Sequence, residues 1–213
     1  MRTSELIDIL STGEVRADPH RLTRRFAVAL FAGLGIGTLE LIAIDGFRSD
    51  MPDYLLTSAF LLKAAFPLAV VAGALFVAMR LARPGARLKH TWVAVAWPVV
   101  AIWVASAWIV LSAPPEVRLS LMLGTSWRTC TLNIVLLSMP SLFALFYAMR
   151  GLAPTRLATA GAAVGLLAGA QGTLVYMLYC VENAVPFWGL WYALGIAVSA
   201  GAGALLGPRY LRW

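Results

Sequence analysis

Apolar positions fall into six long blocks separated by short polar stretches, at residues 26–44, 58–79, 91–112, 127–148, 157–179 and 187–206. Each holds about 19–23 residues, which at 1.5 Å per residue matches the roughly 30 Å hydrocarbon core of a bilayer. The pattern predicts an all-α fold, a six-span transmembrane helix bundle, and an even number of spans puts both termini on one side. Residues 1–25 differ: five arginines and four acids surround one short apolar cluster, LIDIL at 6–10. That cluster is too short for the apolar core of a secretory signal, so 1–25 reads as a mature cytoplasmic tail. Thr3 or Ser4 caps a short helix from about Glu5 to Thr12, which sets Leu6, Ile9 and Leu10 on one face and ends at Gly13. The domain plan is thus a tail, 1–25, and a membrane domain, 26–213.

Composition agrees, with 61% hydrophobic residues, 13% charged and a mean hydropathy of +0.80. An ordinary soluble domain carries about 25% charge, so that class is excluded. The net charge of +7 would point to nucleic acid in a soluble protein, but its placement explains it otherwise. The tail, the 79–90 loop (Arg80, Arg83, Arg87, Lys89), the 150–156 loop (Arg150, Arg156) and the C-terminal end (Arg209, Arg212) alternate with poor loops holding Arg48, Arg118 and Arg128. By the positive-inside rule both termini are cytoplasmic, and no direct contact with nucleic acid is expected. Asp45, Asp50, Asp53, Glu116 and Glu182 fall on the far side, where Trp108, Trp127, Trp188 and Trp191 are placed as an aromatic belt.

Small residues recur every fourth position in the last two spans: Gly161, Gly165, Gly169, Thr173, then Gly195, Ser199, Gly203, Gly207. Such stripes let backbones approach closely in lipid, so these spans are expected to pack on each other or on the first, which carries Gly33 and Gly37. The same pattern would equally serve a homodimer face. Pro67, Pro98 and Pro140 lie inside spans two to four and need no role beyond local kinks.

Charges inside a span are costly enough to draw attention. Glu40 and Lys63 lie at similar depth below the outer boundary, and an intramembrane ion pair between them is expected, with a snorkelling lysine and a gate or proton-linked element as the other readings. Asn133 and Gln171 are expected to bond between helices. Cys130 opens span four and Cys180 follows span five, so the topology carries both thiols to the same outer boundary. In a bacterium that side is oxidising, and a disulfide, a reactive thiol pair or a soft-metal site are all open to them, as is the plain reading of two unlinked, inert residues. Met177 and Glu182, with Met122, lie near them as auxiliary donors, whereas His20 and His90 fall on the opposite side. No cofactor is certain; a soft or heavy metal ion at Cys130 and Cys180 is one of the open readings. No Ser/His/Asp set, zinc-type His cluster or phosphate loop is present, so no enzyme is expected.

The second half of the chain carries WRTCTLNIVLLSMP from Trp127, GLAPTR, YCVEN at Cys180, FWGLWYALG and LLGPRYLRW, and the beginning carries the LIDIL helix followed by arginines. These stretches resemble the NrsF-like family of six-span bacterial proteins, negative regulators of an extracytoplasmic-function sigma factor. The resemblance implies a multi-pass inner-membrane anti-sigma factor that holds its sigma factor through the tail, with Leu6, Ile9 and Leu10 as anchors. It also implies that Cys130 and Cys180 respond to heavy-metal stress such as chromate. Two rival classes stand beside it. In a small transporter or channel, Glu40, Lys63, Asn133 and Gln171 would line a path; in a membrane thiol or quinone oxidoreductase, the cysteines would cycle. The tail helix could instead lie on membrane lipids at the inner leaflet.

Overall fold

The computed structural model describes residues 3–5, 20–46, 50–83, 85, 90–152 and 154–212. The tail residues Leu6, Ile9 and Leu10 lie outside these. The described segments are helical and contain no strand. In chain order they form α1 (Arg21–Ile44), α2 (Met51–Leu55), α3 (Ser58–Leu81), α4 (Val93–Ser112), α5 (Pro115–Leu123), α6 (Trp127–Arg150), α7 (Leu157–Tyr176) and α8 (Val185–Tyr210). Six of them, α1, α3, α4, α6, α7 and α8, are long and apolar enough to cross a membrane, α6 being continuous in hydropathy with α5.

Several boundaries differ from the apolar blocks, for local reasons. The first helix already begins at Arg21, inside the stretch assigned to the tail, so Arg24 and Arg25 are helical and the Arg25 guanidinium packs against Gly151. Thr57 starts α3 by accepting the Phe60 N–H at 3.2 Å. The short helices α2 and α5, absent from the six-block pattern, each carry proline in the first turn, where a missing N–H costs nothing. Gly124 closes α5 at φ +55, and a Cβ there would also stand 2.8 Å from the Glu182 carboxyl carbon. The fifth span stops at Tyr176 rather than 179, and Met177 to Tyr179 continue as a turn.

The glycine stripes do what close packing in lipid requires. Gly161 and Gly165 of α7 lie directly on the backbones of Gly203 and Ser199 of α8, and Gly207 lies on Leu157. These stripes are therefore filled within the chain, which removes them as a homodimer face. Gly33 and Gly37 of α1 pack instead on Ser141 and Leu137 of α6. Helix α7 is the most enclosed span and touches α1, α3, α6 and α8, whereas α4 sits at the edge against α3 and α8.

Two buried clusters fill the bundle. One, around Phe26, Val77, Leu145, Met149 and Val164, lies towards the end where Arg25 meets Gly151. The other, around Leu41, Val70, Ile134, Tyr176 and Trp188, lies towards the cysteines. At the join of α6 and α8 the buried Ser138 and Ser199 hydroxyls bond to each other at 3.1 Å. Replacing Ser199 with alanine is expected to cost only about 0.6 kcal/mol, a typical interhelical bond in a membrane, and thermal unfolding in detergent beside Ser138→Ala and the double variant checks it.

Candidate functional site

Cys130 occupies the first turn of α6, its N–H bonded to the Ser126 carbonyl at 3.0 Å, and Cys180 follows α7, its N–H bonded to the Tyr176 carbonyl at 3.0 Å. Cys130 is 0% and Cys180 2% exposed, and both thiols are free. They belong to one buried cluster with Tyr176, Met177, Phe187, Trp188 and Tyr192, within electrostatic reach of each other. The Tyr176 side chain lies against Cys130 and Ser126, and the Tyr192 side chain against Cys180. The Tyr192 hydroxyl is buried beside the Cys180 thiol, and the two tyrosine rings meet edge-on with centroids 6.1 Å apart. Neither tyrosine is singled out by the sequence pattern, although Tyr176 precedes Cys180 by four residues, one helical turn.

Lys63 reaches the same site and corrects the expected ion pair. Its ammonium donates to the backbone carbonyls of Cys180 at 2.8 Å and Glu182 at 2.7 Å and lies 5.8 Å from the Tyr192 ring centroid. Glu40 is elsewhere: it lines an apolar groove between α1 and α6 with Ile36, Leu39, Met139, Pro140 and Phe143, and among the described residues its Oε2 has no hydrogen-bond partner. The two residues differ in direction: Lys63 points to the bundle interior at 1% exposure and Glu40 to the groove.

The Glu182 carboxylate is engaged by Thr125. Its Oε1 accepts from the Thr125 N–H at 2.7 Å and the Thr125 hydroxyl at 2.6 Å, which fastens the turn after α7 to the turn after α5. Met177 remains in the thiol cluster as a buried sulfur neighbour, and the Met122 carbonyl accepts from the Trp191 indole at 2.9 Å. Trp188, placed in the aromatic belt by its sequence position, is instead packed inside the thiol cluster. Gln171 bonds between helices as expected, its Nε2 donating to the Leu30 carbonyl at 3.0 Å, while Asn133 of α6 is half-buried. As a donor set for a soft ion the site offers two thiols and one thioether; among the described residues no group of three or more His, Cys, Asp or Glu is assembled.

Comparison with known proteins adds what geometry does not carry. A family model described as NrsF, negative regulator of sigma F, matches residues 10–213. The chain belongs to the NrsF family. Within it, the chain is 39% identical to the probable anti-sigma-F factor NrsF of Azospira oryzae and 37% identical to the anti-sigma-F factor NrsF of Caulobacter vibrioides, each over the full length of both chains. The NrsF match takes in both cysteines, Lys63 and Leu10, and begins after Leu6 and Ile9. No solved structure matches the chain. Both NrsF relatives are named as regulators and not as enzymes.

Proposed function

We propose that this chain is an inner-membrane anti-sigma factor, with both termini in the cytoplasm, that holds a sigma-F-type factor of the extracytoplasmic-function class through its N-terminal tail and releases it under stress. The observation that carries this reading is end-to-end kinship with two anti-sigma-F factors, tail included. An isolated helix of about eight residues is marginal in water, so the Leu6, Ile9, Leu10 face orders on a groove of its partner.

Sensing is assigned to Cys130 and Cys180, where heavy-metal ligation or oxidation at the thiols supplies the signal. Their common burial beside Tyr176 and Tyr192 supports it, since a change at a packed polar site must be accommodated by the surrounding helices. A ligand shifts an equilibrium only by its differential affinity for two states, so modification must favour a second packing of the bundle in which the tail lets go.

The test is capture from native bacterial extract with the full-length protein in detergent, beside a version lacking residues 2–20, followed by mass spectrometry. That deletion spares Arg21, Arg24 and Arg25. A sigma factor retained by the intact protein and lost with the tail is the expected result. Retention by neither version removes the anti-sigma reading, and retention by both removes the tail as its site.

A further inference from the structure

The turn that carries Cys180 is tied down almost residue by residue. Cys180 and Glu182 give their carbonyls to Lys63, the Glu182 carboxylate takes both Thr125 donors, the Asn183 Oδ1 accepts from the Tyr54 hydroxyl at 2.8 Å, and the Asn183 carbonyl accepts from the Trp188 indole at 3.3 Å. Residues 180–184 form no helix, so their carbonyls need partners from outside the segment. Tyr54 and Thr125 lie outside the six long helices, in or beside short connecting segments. Lys63 differs: it rises from α3, is fully buried, and bonds the carbonyl of the cysteine itself.

An ammonium in this position has a physical reason to stay. Burying it costs several kcal/mol unless its donors are met, and two carbonyls at 2.7 and 2.8 Å meet two of them. The site also lies at the C-terminal end of α7, where the aligned peptide dipoles favour a positive charge, with the Tyr192 ring nearby. Without the ammonium, one buried and one partly buried carbonyl lose their donor and the turn gains by opening to water.

We propose that Lys63 is the positioning residue of the thiol site: it clamps the Cys180–Glu182 turn to α3 and thereby keeps the Cys180 thiol covered. The regulatory meaning of the clamp rests on the proposed sensing role of the thiols; the clamp itself does not. A signal acting on Cys180 would have to work against it, which sets how easily the site responds.

The test is alkylation by N-ethylmaleimide of the purified, reduced full-length protein in detergent, read by intact mass. A Cys130→Ala background reports Cys180 alone, and a Cys180→Ala background reports Cys130 alone. Lys63→Met is expected to raise the Cys180 rate by about tenfold or more, the scale of a local opening, while Cys130 in α6 stays slow. Lys63→Arg, which can still donate to both carbonyls, is expected to restore protection. A parental Cys180 rate in Lys63→Met overturns the clamp, and so does equal acceleration of both thiols, which marks general loosening. If Lys63→Met does not fold, Lys63→Gln keeps an N–H donor without the charge and carries the same readings, with an intermediate Cys180 rate expected. Alkylation requires no sigma factor. If the clamp is found but sigma-factor release is unaffected by both cysteines, the sensing assignment falls and the clamp stands.

Discussion

Replacing Gly165 with leucine is expected to abolish the folded bundle. A Cβ at this position would meet the Ser199 carbonyl oxygen and stand 2.8 Å from the Cα of Ala200, so the obstacle is backbone and no rotamer change relieves it. The helices α7 and α8 would have to separate along the stripe where they lie closest. Overpacking typically costs about 1–3 kcal/mol where side chains can shift, and more where backbones must. Against a total stability of about 5–15 kcal/mol, loss of the α7 contacts as well leaves little folded protein. Gly165→Ala should give reduced yield and a lowered melting point. Gly201→Ala, where nothing lies within 4 Å, should behave as the parent. Monodisperse yield in detergent and thermal unfolding of the three variants check this, and a well-folded Gly165→Leu protein would refute the packing.

The second large effect is on regulation. In a Cys130→Ala, Cys180→Ala double variant the tail is untouched, so a sigma-dependent reporter should stay repressed, but chromate should no longer raise it. On the proposed sensing role, a bundle without thiols offers the stimulus no differential affinity for a second packing, and such a ligand shifts no equilibrium however much is added. Alanine is preferred to serine because a hydroxyl at these buried positions would itself need a hydrogen-bond partner. Normal induction in the double variant, with expression matched to the parent, would move sensing elsewhere.

Much of this architecture is legible in the amino-acid sequence, and the reason differs from feature to feature. The spans are readable because lipid demands apolar length, and the α7–α8 contact because small residues at four-residue spacing have few other uses in a membrane. That Cys130 and Cys180 share one end follows from counting crossings. Lys63 stands out by its charge, but its partner does not, since a backbone carbonyl has no signature in a sequence and the Glu40 carboxylate does. Trp188 misleads for a similar reason: depth along a helix can be counted, but which way a ring faces depends on the neighbouring helix. The short helices α2 and α5 are too brief to make an apolar block, and only Pro52 and Pro115 mark their first turns. The proposed tail anchors Leu6, Ile9 and Leu10 are outside the described residues, and their assignment rests on the sequence pattern and kinship.

Helix α7 is shared by both buried clusters: Val164 and Leu167 belong to one, Val175 and Tyr176 to the other. Its 20 residues make a rod about 30 Å long. Mechanically it is the spine of the bundle, with its glycine face locked against the α8 backbone. Cys180 is attached to one end, and the other end meets the Arg150–Arg156 loop. A displacement at either end of such a rod would have to carry both clusters with it, because each is packed on the same helix.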